Sequence, residues 1–215
     1  ILWWSPNPRC VLPLEDFRLP ARSARALRQN PFELTLDAAF GRVIRACAQA
    51  RTPHGGTWLT PAMIEAYDRL HALGFAHSVE AWRDCELAGG LYGVGFGRVF
   101  FGESMFHVVS EASRAALAGL VGLLRLRGVT LLDCQQETPH IMKMGGVLLP
   151  REVFMQRLRQ ALAPPADAEP GVGLPSTEHV ICGNAIHKVT DEQVWQPWRE
   201  RYDYSLSSGA WASRS

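Results

Sequence analysis

The stretch Val129-Thr130-Leu131-Leu132 follows Gly128 without a charged side chain and runs into Asp133-Cys134-Gln135. Such a run of β-branched and aliphatic residues reads as a strand covered on both faces, which commits the chain to a sheet packed on either side. Ligands collect where such strands end. Asp133 and Gln135 stand two positions apart, so an extended strand would project both side chains to one side. There a carboxylate could hold or accept a proton and an amide could orient a substrate. Taken alone, the same residues suit a loop cap and an ordinary surface amide just as well.

The surrounding pattern supplies the rest of an α+β plan. Thr60-Pro61 offers an N-cap and a first-turn proline. Met63, Ile64, Tyr67, Leu70 and Leu73 give the following helix an apolar face, and Gly74 stops it. Residues 76–83 read as a strand, 84–90 as a turn, and 91–96 and 98–106 as two more strands, an antiparallel meander. A second helix over about residues 110–127 is stopped by Gly128 and delivers the chain to the Asp133 strand. Pro150 opens a third helix carrying Val153, Phe154, Leu158 and Leu162.

Residues 1–60 are punctuated by Pro6, Pro8, Pro13, Pro20, Pro31 and Pro53 and read as a small N-terminal subdomain. Residues 61–163 form the main domain, and the proline- and glycine-rich 164–215 read as a linker and C-terminal extension. Opening on Ile1-Leu2-Trp3-Trp4 without an initiator methionine, the sequence reads as a trimmed chain.

Composition narrows the function. With 47% apolar and 20% charged residues among 215, the chain is a folded globular protein. Its net charge of +1 provides no global field for nucleic acid, so any RNA contact must come from a local patch. One such patch is the helical stripe Arg22, Arg25 and Arg28, which could equally be a solvated helix face. Five scattered cysteines without a C-x-x-C pair suggest reduced thiols in a cytoplasmic protein, and the seven histidines show no metal spacing. No metal and no cofactor are expected. Neither a secretory signal nor an apolar run long enough to span a membrane is visible, so no membrane partner is expected.

Glu103, at the end of the third strand, is positioned to share a cleft with Asp133, although a residue at the start of a helix would also favour glutamate. Trp58, Tyr67, Leu91 and Leu132 could build a pocket for one apolar side chain, or could simply be core. Gly93-Val94-Gly95-Phe96-Gly97 falls inside a hairpin rather than between a strand and a helix, which removes the nucleotide-loop reading.

Trp3-Trp4-Ser5-Pro6-Asn7-Pro8-Arg9, Gly56-Thr57-Trp58-Leu59-Thr60, Glu65-Ala66-Tyr67, Gly89-Gly90-Leu91-Tyr92-Gly93-Val94, Gly102-Glu103-Ser104-Met105-Phe106 and Asp133-Cys134-Gln135 occur in this order. Together they closely resemble the leucyl/phenylalanyl-tRNA-protein transferase family over about residues 1–160. The resemblance implies an acetyltransferase-like (GNAT) mixed-sheet domain in a monomeric cytoplasmic enzyme. It implies transfer of leucine, phenylalanine or methionine from aminoacyl-tRNA to the N-terminal Arg or Lys of a protein, marking it for degradation. By the same resemblance, Trp58, Tyr67, Leu91 and Leu132 line the donor pocket and Glu103 lies near the aminoacyl-adenosine end. Asp133 and Gln135 would assist peptide-bond formation, and Arg22, Arg25 and Arg28 would meet the tRNA acceptor stem.

The chain departs from the family where Thr138 replaces a usual asparagine and Lys143-Met144-Gly145-Gly146 replaces Ser-Leu-Gly-Ala. The aromatic segment that precedes the Trp-Trp motif in the family is also missing, and residues from about 164 match none of it. Two rival functions follow: a non-catalytic tRNA-binding relative, and a coenzyme A-dependent acyltransferase on the same fold. The second lacks its pyrophosphate loop, because residues 102–107 occupy that join.

Overall fold

The computed structural model describes residues 5–51 and 56–163, so the expected C-terminal extension and Trp3-Trp4 lie outside it. In chain order the elements are β1 (Arg9–Val11), α1 (Ala21–Gln29), β2 (Glu33–Leu36), α2 (Phe40–Arg51), α3 (Pro61–Ala72), β3 (Ala76–Arg83) and β4 (Glu86–Phe96). They continue with β5 (Val99–His107), α4 (Ala112–Leu126), β6 (Leu131–Gln135), α5 (Pro139–Met142), β7 (Val147–Leu149) and α6 (Arg151–Leu162). The strands form one mixed sheet in the order β2-β3-β4-β5-β6-β1-β7.

The expected meander is present as β3-β4-β5, but its first turn is shorter than the sequence suggested. Only Asp84 and Cys85 turn, at φ 51° and 63°, the positive values a tight hairpin needs. β4 therefore begins at Glu86, and Gly89-Gly90 lie within it. Their missing side chains serve packing: a Cβ at Gly89 would fall 2.6 Å from Ala112 Cβ, so helix α4 rests against a bare stretch of strand.

β5, α4 and β6 form a crossover unit, which makes β5-β6 the parallel pair in a sheet whose other pairings are antiparallel. The apolar run at Leu131-Leu132 is buried on both faces, as its composition requires. Leu132 packs with α4, Phe100 and Leu91, whereas Leu131 packs with Val99, Phe154 and Ala161 on the α6 side. α2 and α3 cover the face opposite α4 through Val43, Ile44, Met63, Ile64 and Tyr67, which meet Tyr92 and Phe106.

Helix α3 starts as its sequence predicts, with the Thr60 side chain accepting from Met63 N at 3.3 Å. Leu73, expected on its apolar face, instead ends the helix and is exposed. The residues expected as an N-terminal subdomain contribute β1 and β2 to the common sheet, β1 lying between β6 and β7. Cys10, Cys47 and Cys134 are free thiols, as expected, and Cys182 lies outside the described residues. Among the described residues no helix is long and apolar enough to cross a membrane.

Candidate active site

Parallel pairing between β5 and β6 covers only Val99 to Phe101 against Leu131 to Asp133. Beyond Phe101 and Asp133 the two strands no longer pair, and each carries a bulge there. On β5, Tyr92 faces Ser104 while Gly93 faces Gly102, which leaves Glu103 as the extra residue. On β6, Cys10 faces Gln135 while Val11 faces Asp133, which leaves Cys134 extra. Bulges re-aim side chains and interrupt ladders, so the opening between these strands is where polar groups can turn inward. Gly93 makes room for the first bulge: a Cβ there would stand 2.2 Å from Phe101 O.

Asp133 is fully buried and ligated on both oxygens. Arg9 Nε donates to Oδ1 at 3.0 Å and to Oδ2 at 3.2 Å, and Arg9 Nη2 donates to Oδ2 at 2.8 Å. The backbone N–H of Gln135 donates to Oδ1 at 2.8 Å. Gln135 has φ 57°, so strand alternation does not orient it alongside Asp133 as expected; the link is this bond across the bulge. Arg9 is itself steadied by the Phe154 ring, 5.2 Å from its guanidinium carbon. A guanidinium fork gripping a buried carboxylate gives Asp133 one fixed orientation.

Glu103 occupies a different environment in the same opening. Burial is the main cause that pushes its carboxyl above the usual carboxylate range, Asp133 adds to the rise, and a hydrogen bond from Tyr67 and the charge of Arg9 oppose it. Tyr67 is pushed up in turn by burial and by Glu103. Trp58 meets Tyr67 edge-on at 6.1 Å, and Tyr67 meets Tyr92 in the same manner at 5.3 Å. Trp58 is 42% exposed, which leaves part of an aromatic face available at the mouth. Glu103, Arg9, Asp133, Tyr67 and Trp58 thus form one continuous constellation.

Leu91 and Leu132 are not brought to it. Both lie on the α4 face of the sheet, 3% and 2% exposed, within the main core. Arg22, Arg25 and Arg28 are exposed on α1, whose Ala24 and Leu27 join that same core. Thr138 caps α5 by accepting from Ile141 N at 3.2 Å, so it does a local structural task, and Met144 of the divergent loop is fully buried.

Neither thiol of the bulge region suits nucleophilic attack. Burial, with Glu137 and Asp133 nearby, pushes Cys10 up to about 11, and burial raises Cys134 further. Among the described residues no group of three His, Cys, Asp or Glu side chains could hold a metal ion. Sequence reasoning assigned no role to Arg9, whose only signal was its place in the Trp3 to Arg9 motif.

Comparison with known proteins adds a family. The model described as "Leucyl/phenylalanyl-tRNA protein transferase" matches residues 11–159. A protein of that name from Desulfatibacillum aliphaticivorans is 55% identical over 163 residues, 75% of this chain and 70% of its own length. One from Syntrophotalea carbinolica is 50% identical over 177 residues, 82% and 77% of the two chains. Another from Chromobacterium violaceum is 46% identical over 165 residues, 77% and 71% respectively.

Proposed function

The chain belongs to the leucyl/phenylalanyl-tRNA-protein transferase family, and we infer that the opening between β5 and β6 is where a charged tRNA meets a protein amino terminus. The protein is an aminoacyltransferase that moves an amino acid from tRNA to protein N-termini. Its donors are leucine, phenylalanine or methionine esters and its acceptors are N-terminal Arg or Lys. It works as a cytoplasmic monomer, and the product is marked for degradation. The parallel β5-β6 pair, opening beyond Phe101 and Asp133, supports an acetyltransferase-like (GNAT) domain over 61–163.

In the reaction, the acceptor amine attacks the ester carbonyl carbon, a C–N bond forms, and the ester C–O bond to the ribose breaks. A proton leaves the amine and ends on the ribose oxygen. The amine must arrive neutral and correctly aimed. Asp133 positions rather than abstracts, because Arg9 and the Gln135 amide already occupy both its oxygens. Glu103 is better suited to proton exchange, since burial raises its carboxyl toward the working range. Glu103, when ionised, also favours a cationic acceptor side chain, whereas the charge of Asp133 is already met by Arg9.

Trp58 and Tyr67 hold the adenosine and donor end, while Leu91 and Leu132, buried in the core on the other face, take no part in the pocket. Arg22, Arg25 and Arg28 take the acceptor stem. The observation that carries this reading is the Glu103–Arg9–Asp133 group set at two bulges beside Tyr67. Transfer of labelled leucine or phenylalanine from charged tRNA to an Arg-starting peptide tests it; no transfer would count against the proposal. Acetyl-CoA should leave the melting temperature unchanged.

A further inference from the structure

Arg9 is the one charged residue of the site that comes from β1, a three-residue strand reaching the sheet from the far N-terminal side of the sequence. Its backbone is set on the β7 side against Leu149. Its side chain is 12% exposed and makes a two-pronged grip on Asp133. Asp133 in turn receives the Gln135 amide across the bulge. Four residues from three distant segments are therefore fastened in series: Phe154 under Arg9, Arg9 on Asp133, Asp133 on the backbone of Gln135.

We propose that Arg9 is a positioning residue for aminoacyl transfer, fixing the corner formed by Asp133 and Gln135 so that the acceptor amine is aimed at the ester. The proposal rests on the assignment of transferase chemistry to this opening. The physical reason is specific to the guanidinium. Its planar fork meets both carboxylate oxygens at once and fixes the rotation of the carboxyl plane, whereas an ammonium supplies charge without that constraint. Since Gln135 sits at φ 57°, a conformation outside the ordinary strand, its placement depends on the bond to Asp133 as well as on its pairing with Cys10 at the end of the ladder. A loosened Asp133 loosens Gln135 with it. A misplacement of even about 1 Å at such a corner is enough to slow a reaction that depends on alignment, by roughly 100-fold.

The test compares the wild type with Arg9→Lys, Asp133→Asn and the double variant, in single-turnover transfer from phenylalanyl-tRNA to an Arg-starting peptide. Rates are normalised to the fraction of protein that binds charged tRNA, so that unfolded molecules do not count. The expected result is that Arg9→Lys lowers the transfer rate at least about 10-fold with charged-tRNA affinity changed less than about 3-fold. Asp133→Asn should add less than about 3-fold in the Arg9→Lys background, because the pair acts as a unit. Arg9→Met, which removes the charge as well, should be no better than Arg9→Lys. A bridge that only stabilises the fold would lower the tRNA-competent fraction while leaving the normalised rate intact, and that result overturns the proposal. Independent, multiplying effects of the two substitutions overturn it as well. Absence of transfer in the wild type would remove the transferase assignment and this proposal together, whereas an active wild type with an unaffected Arg9→Lys removes only the role of Arg9.

Discussion

Glu103 and Asp133 are two carboxylates of one opening held in opposite ways. Asp133 has its oxygens filled by Arg9 and the Gln135 amide, while Glu103 is half-buried with Tyr67 as its hydrogen-bonding partner. Because the carboxyl of Glu103 is raised, its ionised form appears only above the ordinary carboxylate range. If that form handles the amine, transfer should rise with pH through this raised titration. Tyr67 favours the ionised form, so Tyr67→Phe should move the acid limb of kcat/KM to higher pH. Glu103→Gln should remove that limb and lower kcat/KM about 10- to 100-fold. A pH-rate series on the three proteins with one acceptor peptide checks this; an unmoved limb in Tyr67→Phe would show the contact to be structural only. Sequence made Glu103, Asp133, Trp58 and Tyr67 legible because a carboxylate or aromatic at a strand or helix end stands out locally. Arg9 was not legible, since its partner is 124 positions away and only folding brings them together.

The elements that sequence revealed were those whose own pattern is long enough to carry a period, α3, β3, β5, α4 and α6, together with β6, whose apolar run marks it as a strand covered on both faces. β1 and β7, at three residues each, and β2 at four, exist by pairing with distant strands and have no local signature. The bulges were invisible for the same reason, because an extra residue is extra only relative to its partner strand. They depend on close backbone approach, and Gly93→Ala should therefore lower stability by about 2–4 kcal/mol, measured by denaturant unfolding, since its Cβ cannot coexist with Phe101 O at 2.2 Å. A second element-scale prediction concerns the β2-β3 pair. Glu80 is fully buried and receives hydrogen bonds from Thr35, from Ser78 at 2.5 Å, and from the Ala38 and Ala39 amides at 3.3 Å. Burial outweighs these donors and pushes its carboxyl from 4.5 up to about 7. The folded state therefore holds the proton more tightly, and stability should fall as pH rises from about 4.5 through 7 and level off above. Relative to the wild type, Glu80→Gln should flatten that decline, a difference on the order of 2 kcal/mol between pH 5 and pH 8. Chemical melts at the two pH values decide, and parallel declines in both proteins would assign the titration elsewhere.

At the scale of the whole molecule, charge must be arranged rather than accumulated. A net charge of +1 cannot draw in a polyanion by its overall field, yet a transferase that takes its donor from tRNA has to hold a phosphate backbone. On the function proposed above, this task falls to the cationic row of α1, which lies on the exposed side of the helix. Ser23, Ala24 and Leu27 turn inward, which leaves Arg22, Arg25 and Arg28 on the exposed side at helical spacing. The same amphipathic helix that anchors the N-terminal residues to the main core thus presents the basic surface, separate from the residues at the β5-β6 opening. That separation predicts a clean division of labour. Arg22→Ala with Arg25→Ala should weaken charged-tRNA binding and reduce the slope of log K against log salt by about 2, while the single-turnover rate at saturating tRNA stays within about 2-fold. Binding isotherms across a salt series measure the slope directly. An unchanged slope would make α1 an ordinary solvated face, and a collapse of the saturated rate would tie α1 to the chemistry rather than to docking.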